Sequence, residues 1–120
     1  MGGLLESSFE RSLSSLNPYI IEAWWHTRNG TKDIRVVFSQ DLDQDIPANA
    51  IGFSVYVDGF SYILAPPYTY TGPRELTFSS ICPTPSTSMW LVFNGPLSPL
   101  RCNTLEITSN PHLDIFANQE

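Results

Sequence analysis

From residue 19 onward, apolar residues recur at every second position in short runs, and the runs are cut by dipeptides that tight turns favour. A period of two sends alternate side chains to opposite faces of a strand. In one run Ile34, Val36 and Phe38 share a face, with Arg35, Val37 and Ser39 on the other. In another, Phe53, Val55 and Val57 point inward while Ser54, Tyr56 and Asp58 point outward. Asn29-Gly30 and Asp58-Gly59 tolerate the positive φ that two-residue hairpins demand, so each should join two antiparallel strands.

The rest of the chain reads in the same way. Ile20 to Thr27 is aromatic and β-favouring, and Ser61 to Leu64 should return from the second hairpin. Glu75 to Ser79 points Leu76 and Phe78 inward. Met89 to Phe93 is nearly all apolar, which predicts a central strand buried on both faces. Thr104 to Thr108 places Leu105 and Ile107 inward, and His112 to Glu120 is a tail that adds an edge strand. The segment Ala65 to Pro73, with Pro66, Pro67 and Pro73, reads as a loop or irregular edge. About seven strands with turn signals between them predict an antiparallel two-sheet sandwich.

Ahead of it, Leu5, Phe9, Leu13 and Leu16 recur at helical spacing until Asn17-Pro18 stops the pattern. Residues 1–18 are therefore read as a short amphipathic helical arm and residues 19–120 as the sandwich domain. One domain is what 120 residues sustain. The first residues lack the basic start and continuous apolar stretch of a signal peptide, so the chain is expected to be made in the cytoplasm.

The stretch Lys32-Asp33-Ile34-Arg35-Val36-Val37-Phe38-Ser39-Gln40-Asp41-Leu42-Asp43, then Ile46-Pro47 and Phe53-Ser54-Val55-Tyr56-Val57-Asp58-Gly59, resembles bacterial immunoglobulin-like repeats. Such modules occur in surface-layer, flagellum-associated and adhesin proteins and as added domains of phage tail and capsid proteins. The resemblance implies an immunoglobulin-like, non-catalytic β-sandwich and transfers no active site. A free-standing domain with an apolar arm and three Trp points further, by analogy, to a subunit of a larger assembly such as a phage virion (head decoration, neck or tail).

Charge narrows the partners. Charged residues are 15% of the chain and the net charge is −6, which disfavours nucleic acid and anionic membrane surfaces. No apolar run approaches the roughly 20 residues of a membrane-spanning helix. Asp41, Asp43 and Asp45 alternate like calcium ligands, but Ile46 and Gly52 stand where an EF-hand needs Gly and Glu, so a solvated acidic loop is expected and no metal. His26 and His112 form no zinc or protease motif, no cofactor motif is present, and no nucleophile elbow supports a hydrolase. Cys82 and Cys102 read as reduced, partly buried thiols. Asn29-Gly30-Thr31 matches a glycosylation acceptor but is explained by the hairpin turn.

The aromatic residues carry the functional expectation. Trp24 and Trp25 are adjacent, so only one can face the core. With a single Lys to guard sheet edges, surface apolar groups should be covered by neighbouring subunits, in a homo-oligomer or among virion or cell-surface neighbours. The contact residues expected are Leu5, Phe9, Leu13, Leu16, Trp25 and Tyr56. The alternative is a glycan-binding adhesion module with Tyr56, Tyr62 and Tyr70 as its stacking platform.

Overall fold

The computed structural model describes residues 17–118. Ten strands are present: β1 (Ile20–Arg28), β2 (Thr31–Phe38), β3 (Phe53–Val57), β4 (Phe60–Tyr62), β5 (Leu64–Gly72), β6 (Glu75–Ser80), β7 (Met89–Phe93), β8 (Arg101–Cys102), β9 (Leu105–Glu106) and β10 (Asn110–Ala117). A 3₁₀ turn spans Gly95–Leu97. The expected amino-terminal helix falls outside the described residues.

Eight strands form one mixed sheet in the order β4-β3-β7-β10-β1-β2-β6-β5, and β8 and β9 form a separate ribbon. Laid flat, eight strands at about 4.8 Å spacing would be some 34 Å wide. Yet β4 and β5, at opposite margins, are joined by Ile63 alone. One linking residue spans at most about 7 Å between its neighbours, so the sheet must roll until its margins approach. The roll is anchored at that residue, whose carbonyl accepts from the Ile81 N–H (3.3 Å) and the Ser80 hydroxyl (3.1 Å).

Rolling encloses the period-two apolar faces read from the sequence. Ile34, Val36 and Phe38 of β2, Leu76 and Phe78 of β6, and Phe53, Val55 and Val57 of β3 are all buried. Phe53 meets Phe78 (ring centroids 5.3 Å apart) and Phe93 (4.6 Å), joining the two halves of the roll. Both expected hairpins form, with φ of 50° and 83° at Asn29 and Gly30 and of 50° and 91° at Asp58 and Gly59.

The expectation of a purely antiparallel arrangement is corrected. β1 runs parallel to β10, in the register Ala23↔Ile115, Trp24↔Phe116 and Trp25↔Ala117. The tail is therefore no edge strand. It inserts between β7 and β1, because Leu113 and Ile115 supply an inward apolar face there. The chain thus enters β1 at one end of the roll and leaves β10 near Trp25, whose carbonyl accepts from the Asn118 N–H (2.8 Å).

Two smaller expectations also change, and one open reading is decided. β7 buries only one face, with Trp90 and Val92 turned outward. Of the two readings of the Pro-rich segment, the loop gives way to the irregular edge: it is a nine-residue margin strand, β5, with shifts in its pairing to β6, since a margin has one free side and tolerates missing N–H groups. Thr104 to Thr108 contributes only the two residues of β9, with Leu105 exposed. A turn at Asn103 and Thr104 interrupts it, with φ of 50° and 65°.

Candidate functional site

Alternation in β3, β7 and β10 carries Tyr56, Trp90 and His112 to the outer face of the roll. The strand pairs Tyr56↔Trp90 and Asp114↔Trp90 set them side by side. Trp90 stacks on Tyr56 (centroids 5.2 Å, planes 5° apart) and on His112 (5.1 Å, 18°). These distances match the roughly 4.8 Å between strands. The rings therefore stand on edge like plates in a rack, and both faces of Trp90 are covered. His112 Nε2 lies 2.9 Å from Asp114 Oδ1. On the same face Phe116 and Trp24 make a tilted pair (5.8 Å, 51°) across the parallel β10–β1 seam. An aromatic stripe thus crosses four adjacent strands.

The expected contact residues divide. Tyr56 lies in the stripe. Leu5, Phe9, Leu13 and Leu16 lie outside the described residues. Trp25 turns to the core side, where Lys32 Nζ sits 5.7 Å from its ring centroid. Trp24 is the outward member of the pair, because a two-residue irregularity between Ile20 and Glu22 resets the alternation along β1. Trp90 and His112 were missed. Trp90 lies in an all-apolar run that read as doubly buried, and its alternation with Met89, Leu91 and Phe93 was the available signal.

The tyrosine platform is not assembled. Tyr62 pairs with Val55 and packs on the core side, as does Tyr70, whose hydroxyl donates to the Ile46 carbonyl (2.7 Å). Tyr56 faces the opposite way, so the three rings cannot meet one sugar.

The acidic loop is committed to structure. Asp41 pairs with Arg74 Nε (2.8 Å), and Asp43 accepts the N–H groups of Asn103 and Thr104 (2.8 Å each), holding the left-handed turn of β8–β9. Among the described residues no three His, Cys, Asp or Glu side chains converge on a metal position.

Another polar cluster joins β1, β2 and β6. Asp33 accepts from Arg28 Nε (2.7 Å) and from the Ser79 hydroxyl (2.7 Å), with His26 Nε2 at 3.5 Å. Burial opposes the Asp33 charge, but the bonds from Arg28 and Ser79 outweigh it and hold the carboxyl below its usual value. A nucleophilic serine would donate to the histidine; here the hydroxyl is spent on the carboxylate.

Asp58 closes the far end of the β3–β4 hairpin. It accepts the N–H groups of Ser86, Thr87 and Ser88 and the Thr87 hydroxyl at 2.7 to 3.1 Å. These donors, Ser86 first, hold its carboxyl far below the ordinary range. They also shape one wall of an open cleft of about 440 Å³ between the loop and the end of β10. Cys82 and Cys102 are both free and buried. Burial, reinforced by Asp43 and Asp41, pushes the Cys102 thiol up to about 11.

Among solved structures, the N-terminal part of the bacterial S-layer protein SbsC is similar. The match has a TM-score of 0.60 at 14% identity and covers 95% of this chain and 26% of that one. The chain therefore spans about a quarter of that structure's length, and at this identity the likeness is one of fold. No protein-family model and no curated protein matches the chain.

Proposed function

We propose that this protein is a non-catalytic structural domain that works through protein–protein contacts in a surface or particle assembly. The observation that carries the reading is the outer aromatic stripe. Tyr and Trp are the residue types that anchor protein contacts, and here they stand together outside the core. The fold-level likeness to a surface-layer protein supports the same reading.

The fold is read more finely as an immunoglobulin-like sandwich. In that reading the one mixed sheet rolls into two facing halves, joined through the β10–β1 seam at one side and through Ile63 at the other. The narrower biological form is a cell-surface component or a phage head decoration, neck or tail protein. Its neighbours would be protein subunits, and nucleic acid and membrane play no part.

Density-gradient sedimentation of the native source, with the protein followed by antibody, tests this. The protein should travel with an envelope or particle fraction. Recovery only as a free 13.4-kDa species refutes the reading.

A further inference from the structure

We propose that the amino-terminal arm folds back on its own roll, laying Leu5, Phe9, Leu13 and Leu16 across the end at which the chain enters β1. This goes beyond the assembly reading above, because it takes the arm away from neighbouring subunits and leaves the aromatic stripe to them.

That end gathers exposed apolar side chains. Tyr19 and Ile21 flank the first residue of β1, and each is half exposed. The Pro18 carbonyl accepts from the Thr108 N–H (2.8 Å), which brings the segment before β10 alongside. The same segment receives the 3₁₀ turn. The Gly95 N–H donates to the Ser109 hydroxyl (2.8 Å), and Gly95 lies so close to the Ile107 carbonyl that no side chain fits between them. Leu97, which closes that turn, is 65% exposed. The Gly52 carbonyl in turn accepts from the Asn94 N–H (2.8 Å), and Gly52 abuts Ser98, which sets the exposed Ile51 beside the turn. These contacts gather Tyr19, Leu97 and Ile51 at one end of the roll. Apolar side chains scattered singly over a surface need no cover, but a group of them marks a contact site.

The length of the arm and its point of attachment select the occupant. Asn17 is the one residue between Leu16 and Pro18, and Pro18 is fully buried at this end. Two Cα steps of 3.8 Å hold Leu16 within about 7.6 Å of Pro18, so the stripe has to begin here. A helix over residues 4–16 extends about 20 Å, twice the roughly 10 Å between facing sheets. It therefore reaches across the end, from Tyr19 past Leu97 to Ile51.

The arm needs such a surface. A helix this short is marginal in water unless its apolar face is covered. Leu5, Phe9, Leu13 and Leu16 make one such face, and Glu6, Glu10 and Arg11 fall off it. A one-residue tether also gives the arm a high effective concentration over its own roll, which an arm from another copy lacks.

Arg11 reports where the arm is, because it is the only trypsin site before Arg28. The test is the rate of cleavage at Arg11 in the full chain, read by mass spectrometry at several protein concentrations, against a synthetic peptide of residues 1–18. The variants are Leu16→Gln in the arm, Leu97→Gln on the roll, and Ile81→Gln as a control on an exposed residue at the opposite end of β6. Gln removes the apolar group and keeps helix propensity. Thermal melts show which variants fold, and Leu97→Gln decides if Leu16→Gln does not. The expected result is cleavage at least tenfold slower in the chain than in the peptide, at every concentration. Leu16→Gln and Leu97→Gln should each reduce that protection at least threefold, and Ile81→Gln should leave it unchanged. Cleavage at the peptide's rate overturns the inference, as does protection that Leu97→Gln leaves intact. Protection that grows with concentration overturns it too, since the arm then lies on a second copy.

Discussion

Replacing Gly95 by Ala should be among the most damaging single-methyl additions to this chain. Gly95 is buried at the start of the 3₁₀ turn, and its N–H donates to the Ser109 hydroxyl (2.8 Å). A Cβ built there falls 2.0 Å from the Ile107 carbonyl oxygen, where ordinary contact begins at 3.4 Å. Backbone must therefore move by about 1.4 Å. The carbonyl cannot yield alone. Ile107 is 1% exposed in the core, and the next N–H, of Thr108, is bonded to the Pro18 carbonyl (2.8 Å). Overpacking of this kind costs about 1–3 kcal/mol, and loss of the Ser109 bond adds about 1 kcal/mol. A total of about 2–4 kcal/mol is a large share of the 5–15 kcal/mol that holds most domains folded. At about 4 °C per kcal/mol for a chain of this size, Tm should fall by about 8–16 °C. Gly30→Ala is the control. It meets nothing within 4 Å but keeps a φ of +83°, so only backbone strain of about 1–2 kcal/mol applies. Circular-dichroism melts of the two variants decide the matter. A Gly95→Ala protein melting within a few degrees of wild type, or above Gly30→Ala, would refute the reasoning.

Asp58 has a depressed carboxyl, so its stabilising effect is complete above the ordinary carboxylate pKa near 4 and drains away as pH falls toward the folded value. Asp58→Asn should therefore lower stability at pH 7 and flatten the loss below pH 4, as read from urea midpoints across pH; parallel curves would count against it. Thr104 holds a φ of 65° that glycine adopts freely, so Thr104→Gly should raise Tm by about 4 °C, equivalent to about 1 kcal/mol; an unchanged or lower Tm contradicts the strain. Both thiols are buried and raised in pKa, so at pH 8 a thiol reagent should label neither within minutes, and both in 6 M guanidinium. Rapid native labelling would show that the burial is wrong.

The fold was legible where two local signals agreed. In β2 and β3 the alternation and the Asn29-Gly30 and Asp58-Gly59 turns point the same way, and the buried set Ile34, Val36, Phe38, Phe53, Val55 and Val57 follows from them. Legibility ended where partners distant in sequence decide the outcome. Nothing in His112 to Ala117 announces that it lies parallel to β1, because that pairing depends on how the roll closes. The turn at Asn103 and Thr104 lacks glycine and is held by Asp43, some sixty residues earlier, so its dipeptide carries no hairpin signal. The aromatic site was half visible. Tyr56 followed from alternation, but Trp90 was hidden in an apolar run, and the irregularity between Ile20 and Glu22 exchanged the roles of Trp24 and Trp25.

The parallel seam of β1 and β10 has a mechanical consequence. Tension applied at Asn17 and Asn118 drags the two neighbouring strands in opposite directions along their shared length. Their hydrogen bonds are then loaded together in shear, not unzipped one after another. The Trp24–Phe116 contact straddles that seam and must also slide before it yields. Stretched end to end, this small roll should hold as a latch does, because the bonds of the seam have to be overcome together.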